Sequence, residues 1–416
     1  MDTGFEPAVA EVSRNGSACD PLYIRFVIGS AIFFALVEIA YFATSKLPFD
    51  AFGYLVGRDF VSTWMGARAA LHGHPAVFFD FAHYNEVLRQ TFSARLDEHN
   101  WSYPPHILLL IWPFGFFPYL WGYAIWAVGG LFLFVWTGRG EKLSWSRILF
   151  LALSPMALIG IITGQNGFFT AALLIPAIAN WDRRPALSGL LFGLLTVKPQ
   201  LILLVPVVLV LTRRWRCLAY FGLTTGLMVV LTSVIFGPAI WTDYFSQAAP
   251  IQNFVMTHGT GLMLDSMPTP FMNVRSLGLP LTVAWVVQGI ASVLSLAAVV
   301  WTFWKPRDPM LSTALLLTAS LVFTPYAFNY DMPALMIVLA QLRERADNDR
   351  TDVKFILAVW VLPVVMMVVG LFGNITGSAL VLLAFGNRML QRLRAWESTR
   401  ENIDVPLSAM QVIAPR

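Results

Sequence analysis

Charge is scarce in this sequence. Asp, Glu, Lys and Arg make up 12% of its 416 residues, against about 25% in an ordinary soluble domain. That scarcity, with 57% hydrophobic residues and a mean hydropathy of +0.65, excludes a soluble globular chain. Cysteine is rarer still. Cys19 and Cys217 are the only two, too far apart in sequence for a metal or redox motif. The formal net charge of +4 leaves no basic footprint for nucleic acid. No GxxxxGK[ST] loop, GxSxG elbow or HExxH pair occurs, which removes the signatures of ATP binding, serine hydrolysis and zinc proteolysis. His72-Gly73-His74 has no acid or cysteine beside it and reads as interfacial rather than as a metal pair. Asp347-Asn348-Asp349 sits in a charge run and reads as a solvated loop. Neither a metal nor a cofactor is expected.

Long apolar runs and aromatics are abundant. Fifteen tryptophans suit the aromatic belts of membrane interfaces. The expected class is an all-α polytopic membrane protein. Residues 1–22 are polar, do not begin as a cleavable signal peptide, and read as a cytoplasmic tail. Residues 23–390 read as one transmembrane domain with outer loops at 45–118 and 237–280, and 391–416 as a second cytoplasmic tail. Span length and the clustering of Lys and Arg predict about twelve spans with both termini inside. Phe60 to Leu71 has helical periodicity and is expected to lie flat on the membrane. Pro104-Pro105 turns the chain back toward the bilayer. Several middle spans, such as Ala186 to Val197 and Leu201 to Leu211, are short. They make sense only where protein shields them from lipid.

The chemistry gathers in the outer turns. Arg58-Asp59 places an acid and a base where the first span gives way to water, and ionisable groups there point to function. Asp59 is the candidate catalytic carboxylate; the plainer reading is a helix-capping acid. Lys198 stands alone between two apolar runs, opposite the Arg clusters, and a cation near hydrocarbon needs an anion. The same topology puts Gln165-Asn166, Arg275 and Asn329-Tyr330-Asp331 on the outer face. With Arg58, Lys198, His83, Tyr103 and Tyr326 they form the candidate substrate-binding set. A transporter or flippase of a lipid-linked or small solute is the competing reading, because many broken spans suit it. It lacks a clear internal repeat.

In order along the chain stand Gly57-Arg58-Asp59-Phe60, Trp101-Ser102-Tyr103-Pro104-Pro105 and Gly164-Gln165-Asn166-Gly167. Gly189-Leu190-Leu191-Phe192-Gly193, Lys198-Pro199-Gln200, Thr324-Pro325-Tyr326 and Tyr330-Asp331 follow. This order resembles glycosyltransferase family 87, polytopic enzymes of the GT-C fold that include mannosyltransferases acting on phosphatidylinositol mannosides. The resemblance covers roughly residues 25–345. It implies an inverting hexosyltransferase of the plasma membrane, working at the periplasmic or cell-exterior face on the cell envelope. It implies a polyprenyl-phosphate sugar donor, mannose-like, and a lipid or glycan acceptor, with membrane lipids as surroundings. It also implies that the acid of the first outer loop, here Asp59, is the general base. Mycobacterial members of the family it resembles use a His near the later outer turn to help with the phosphate. Residues 324–331 hold none here, so Tyr326, Asn329 or Tyr330 would take its place.

Overall fold

A computed structural model describes residues 21–73, 78–140, 144–345, 348–373 and 376–403. Most of the first expected tail, Cys19, His74 of the histidine pair, Lys142, Asp347 of the acidic run and residues 404–416 lie outside the described residues. Among the described residues the chain is helical and forms no strand.

Proline and its neighbours set many of the boundaries. Pro155, Pro185, Pro270, Pro309 and Pro333 each open a helix, where a missing N–H costs nothing and the fixed φ suits the first turn. Ser154, Thr269 and Asp308 accept hydrogen bonds from the first-turn N–H groups that follow them, filling the N-cap role. The span expected from Arg147 to Ile162 is therefore two helices, Trp145–Ala152 and Pro155–Thr163, bent by 47°. The Ser154 cap and Pro155 make the break.

Among the described residues five helices are long and apolar enough to cross a membrane: Arg25–Thr44 within the first helix, Tyr119–Gly138, Trp215–Phe236, Leu281–Trp304 and Arg350–Gly373. The bent pair makes a sixth if taken as one span. The chain is a membrane protein. Other expected spans are shorter helices, among them Gly167–Asn180, Pro185–Leu194, Val205–Leu211, Pro309–Phe323 and Pro333–Arg343. Pro333–Arg343 has 11 residues and rises about 16 Å, half of a ~30 Å hydrocarbon layer. It has no need to match lipid, because Pro333 through Ala340 are all buried. A helix apolar all round belongs at the centre of a bundle, and this one packs against Gly167–Asn180 and Pro309–Phe323. The long helices keep lipid-facing surface, as at Phe33, Val234 and Phe372.

Two further expectations change. Phe60–His72 is a helix, but Phe60 through Ala67 are buried without interruption. It is enclosed beneath the Trp112–Phe116 turn instead of lying on its apolar side, and Gly115 seats against the Ala67 carbonyl, where a Cβ would come within 2.7 Å. The last helix, Ser378–Ile403, runs past residue 390, so the first part of the expected tail is helical.

Gly167–Asn180 and Pro333–Arg343 start beside the polar turns that hold Asn166 and Asp331 and end beside the Arg clusters. The cluster end is laced by ion pairs: Arg214–Asp182, Arg345–Asp308, Arg388–Asp352 and Arg147–Glu344. In the core, Trp360 stacks on Phe150 at 5.2 Å, and its indole N–H donates to the Phe150 carbonyl at 3.1 Å. Trp360→Ala is expected to cost about 3–5 kcal/mol, measured as a lower thermal transition of the detergent-solubilised protein. An unchanged transition would show that this contact carries no stability.

Candidate active site

Asp59 precedes the Phe60–His72 helix, yet its carboxylate makes no capping bond. The capping role is therefore not what holds it. Its backbone N–H donates to the Thr163 carbonyl at 3.1 Å. Its Oδ2 accepts from Gln165 Nε2 at 2.7 Å, and its Oδ1 stands 3.9 Å from His99 Nδ1. The Asp59 side chain remains 47% exposed, so one part of the carboxylate is held while the rest is open to a reactant. The preceding Arg58 has φ +33°, a strained value for a side-chain-bearing residue. Its guanidinium pairs with Asp50 at 3.3 Å and lies over the Tyr54 ring.

The Gly164-Gln165-Asn166-Gly167 turn joins the pieces. Gly164 has φ +61°, and a Cβ there would come within 2.5 Å of the Gly57 carbonyl oxygen and 2.6 Å of Phe60 Cβ. A Cβ on Gly167 would overlap the Tyr330 carbonyl oxygen. One flanking glycine thus admits the Asp59 turn and the other admits the Tyr330-Asp331 turn. Trp126 Nε1 fixes the Gly164 carbonyl at 2.9 Å.

Lys198 lies between two short 3-10 turns, Leu195–Val197 and Pro199–Leu201, where Pro199 keeps the helix from continuing. Its side chain is 4% exposed and pairs with Asp331, which is fully enclosed. Lys198 Nζ also donates to Asn166 Oδ1 at 2.8 Å and faces the Tyr330 ring at 4.8 Å. Asp331 Oδ2 accepts the Phe328 N–H at 3.0 Å. Gln165 therefore holds the exposed carboxylate, and its neighbour Asn166 holds the buried ammonium.

A cavity of about 40 Å³ adjoins Lys198, walled by Ser102, Tyr103, Tyr244, Gln252, Tyr326 and Tyr330 among others. Tyr103 donates to Gln165 Oε1 at 3.2 Å, and Gln252 donates to the Ser102 carbonyl at 2.6 Å. The second outer segment thereby closes over the first. Burial raises the pKa of Tyr103, Tyr326 and Tyr330, so these phenols stay protonated as hydrogen-bond donors.

The structure thus brings together Asp59, Gln165, Asn166, Lys198, Tyr103, Tyr326, Tyr330 and Asp331. Other candidates are engaged elsewhere. Arg58 is held by Asp50. Arg275 donates to the Gly259 carbonyl at 2.7 Å. The Asn329 side-chain amide donates to the Pro363 carbonyl at 3.0 Å, tying the turn to the core. His83 is exposed on the Phe81–Thr91 helix. Sequence reasoning missed His99 and the wall residues Tyr244 and Gln252. His99 carries no motif. Buried Asn85 places it, donating to the His99 carbonyl at 2.9 Å and accepting its N–H at 2.8 Å. Burial lowers the His99 pKa, against the opposing pull of Asp59 and Asp97.

These features define an all-helical membrane protein in which adjacent residues of one turn hold a carboxylate and an ammonium at one end of the bundle. Nothing in the fold supports the transporter reading. The model of glycosyltransferase family 87 matches residues 101–325, more than half of the chain, and the chain belongs to that family. It is a glycosyltransferase. Gln165, Asn166 and Lys198 lie within the matched segment; Asp59 and Asp331 flank it and join it through the contacts above. No curated protein and no solved structure matches the chain.

Two outcomes follow from the geometry. Lys198→Met leaves Asp331 buried and unpaired, and should cost about 3–5 kcal/mol. Adding Asp331→Leu should recover much of that loss, read as the coupling in a double-mutant unfolding cycle. Strict additivity would mean that the two side chains do not act as a pair. His99 binds its proton less tightly folded than unfolded, so its contribution to stability is present above the unfolded value of about 6.5 and is lost as pH falls through the folded pKa. Unfolding midpoints of wild type and His99→Gln across that window should diverge as the pH is raised.

Proposed function

We propose that this glycosyltransferase moves a mannose-like hexose from a polyprenyl-phosphate donor to a lipid or glycan acceptor, with inversion, at the outer face of the plasma membrane. One observation carries the reading. Adjacent side chains of a single turn hold an exposed carboxylate and a buried ammonium. Inverting transfer needs both together. The acceptor hydroxyl oxygen attacks the anomeric carbon while the bond from that carbon to the phosphate oxygen breaks. The hydroxyl proton passes to the Asp59 carboxylate, and the bonding electron pair leaves on the phosphate. That leaving group is already a stable anion, so the site needs donors rather than a general acid.

Lys198 has three N–H groups. Asn166 and Asp331 engage two, which leaves one for a phosphate oxygen in the adjoining cavity. Tyr103, Tyr326 and Tyr330 supply further donors, in the place where mycobacterial members have a His. His99 stands beside Asp59 as a second station for the departing proton, provided it is uncharged. The Arg clusters lie at the opposite end of the bundle, and the positive-inside bias supports an outward-facing Asp59.

Membranes carrying the protein, given a panel of labelled polyprenyl-phosphate sugars, should glycosylate an endogenous lipid or glycan. Asp59→Asn should lower that transfer by about 10²–10⁴-fold, the usual worth of a general base, with an unchanged elution profile in detergent. Full turnover by a folded Asp59→Asn protein would remove Asp59 as the base. Transfer from a nucleotide sugar and from no prenyl donor would overturn the donor class. Wild-type activity should fall on its acid limb as His99 becomes charged, below the ordinary His value of about 6.5. His99→Gln should move or abolish that limb, and an identical limb would show that His99 does not set it.

A further inference from the structure

We infer that the end of the bundle opposite Asp59 carries a second site, which binds the phosphate-bearing headgroup of an anionic membrane lipid. A cavity of about 860 Å³ opens there among the Gly167–Asn180, Leu281–Trp304, Pro309–Phe323 and Pro333–Arg343 helices. It is separate from the transferase site. Gly167–Asn180 begins next to the Lys198 cluster and ends at this cavity, and its 14 residues span about 20 Å.

The walls are unequal in charge. Arg183, Arg213, Arg214, Lys305 and Arg307 line the cavity, with Asp182 as the one carboxylate among the lining residues. Asp182 is engaged by Arg214, through Nε at 2.7 Å and Nη2 at 2.8 Å. Glu397, from the last helix, answers Arg307 at 2.9 Å and Lys305 at 3.7 Å. Arg183 and Arg213 are exposed and have no ion-pair partner among the described residues. The Arg214 guanidinium is fixed in the wall by Asp182 and by the Trp181 ring at 4.4 Å, so part of the cationic lining is held in place before any anion arrives.

The cavity also selects the kind of anion. Ile175 and Val338 line it more than a turn inside the ends of their helices at Asn180 and Arg343, so its depth is apolar while its mouth is cationic. Trp304 at the mouth is 71% exposed, as befits a side chain at headgroup level. A free phosphate would use the mouth and leave the apolar depth empty; a glycerophospholipid uses both. The positive-inside bias alone would scatter cations over loops, without gathering five of them around one cavity. Basic pockets between membrane helices are a known means of holding anionic headgroups.

The full-length protein, purified in detergent, would be titrated by native mass spectrometry with phosphatidylglycerol, phosphatidylcholine or inorganic phosphate. Phosphatidylglycerol should bind at least ~10-fold more tightly than phosphatidylcholine. Arg183→Gln combined with Arg213→Gln, both exposed and unpaired, should weaken it by about 10–30-fold, from the usual worth of two interfacial cations. Asp59→Asn should bind it as wild type does, which keeps this test apart from the transferase reading. Equal affinity for the two lipids, or no loss in the double variant, would overturn the proposal. So would inorganic phosphate binding tightly enough to displace phosphatidylglycerol, since that would define a free-anion site.

Discussion

The ammonium of Lys198 and the carboxylate of Asp331 have almost no solvent around them. Neither ion can stay charged in such a place without the other, because the cost of desolvating a lone charge exceeds what a few hydrogen bonds return. That requirement fixes much of the architecture. The helix ahead of Lys198 ends in 3-10 turns, and from there the side chain reaches the buried Asp331. The Tyr330-Asp331 turn must come up against Gly167, where no side chain blocks it. Asn166 then completes the ammonium's coordination, and the adjacent Gln165 is committed to Asp59. Three outer turns are held in register by one dry ion pair.

The short helices become intelligible in the same frame. Pro309–Phe323 and Pro333–Arg343, of 15 and 11 residues, would be unsuited to lipid, but they are buried along most of their length, whereas Pro185–Leu194 keeps Leu187 and Leu190 exposed. Solvation separates the two ends of the bundle. At the Asp59 end, charges are few and partly buried. At the other end Arg and Lys pair with carboxylates, some partly exposed as in Arg214–Asp182 and others buried as at Asp352 and Arg307. The wide cavity among them is the exception.

Part of the site was legible because some residues are improbable where they stand. An acid beside Arg58 after a first span, a single lysine between apolar runs, and Gln165-Asn166 between glycines all violate what lipid tolerates. Those violations picked out the candidate residues. They did not locate His99, which lies in a polar loop where a histidine is unremarkable and whose position depends on Asn85. They over-read Arg58, which is held by Asp50 eight residues earlier in the chain. Asn329 was taken for a binding group, but its amide ties the turn to the Pro363 carbonyl. The break at Ser154-Pro155 was open to a local rule and was obscured by the apolar run around it.

Hydropathy, proline placement and the clustering of arginine are properties of short stretches, so the chain by itself determined that this is a helical membrane protein and where many of its helices begin. The order of its short motifs was likewise enough for the family. Which polar residues meet depends on side chains brought together from more than a hundred residues apart, and no local pattern records that. Packing decided that Asp59 is held by Gln165, that Lys198 is neutralised by Asp331, and that a cationic cavity opens at the far end. Each rests on how closely two backbones approach, which the glycines permit but only the assembled bundle enforces.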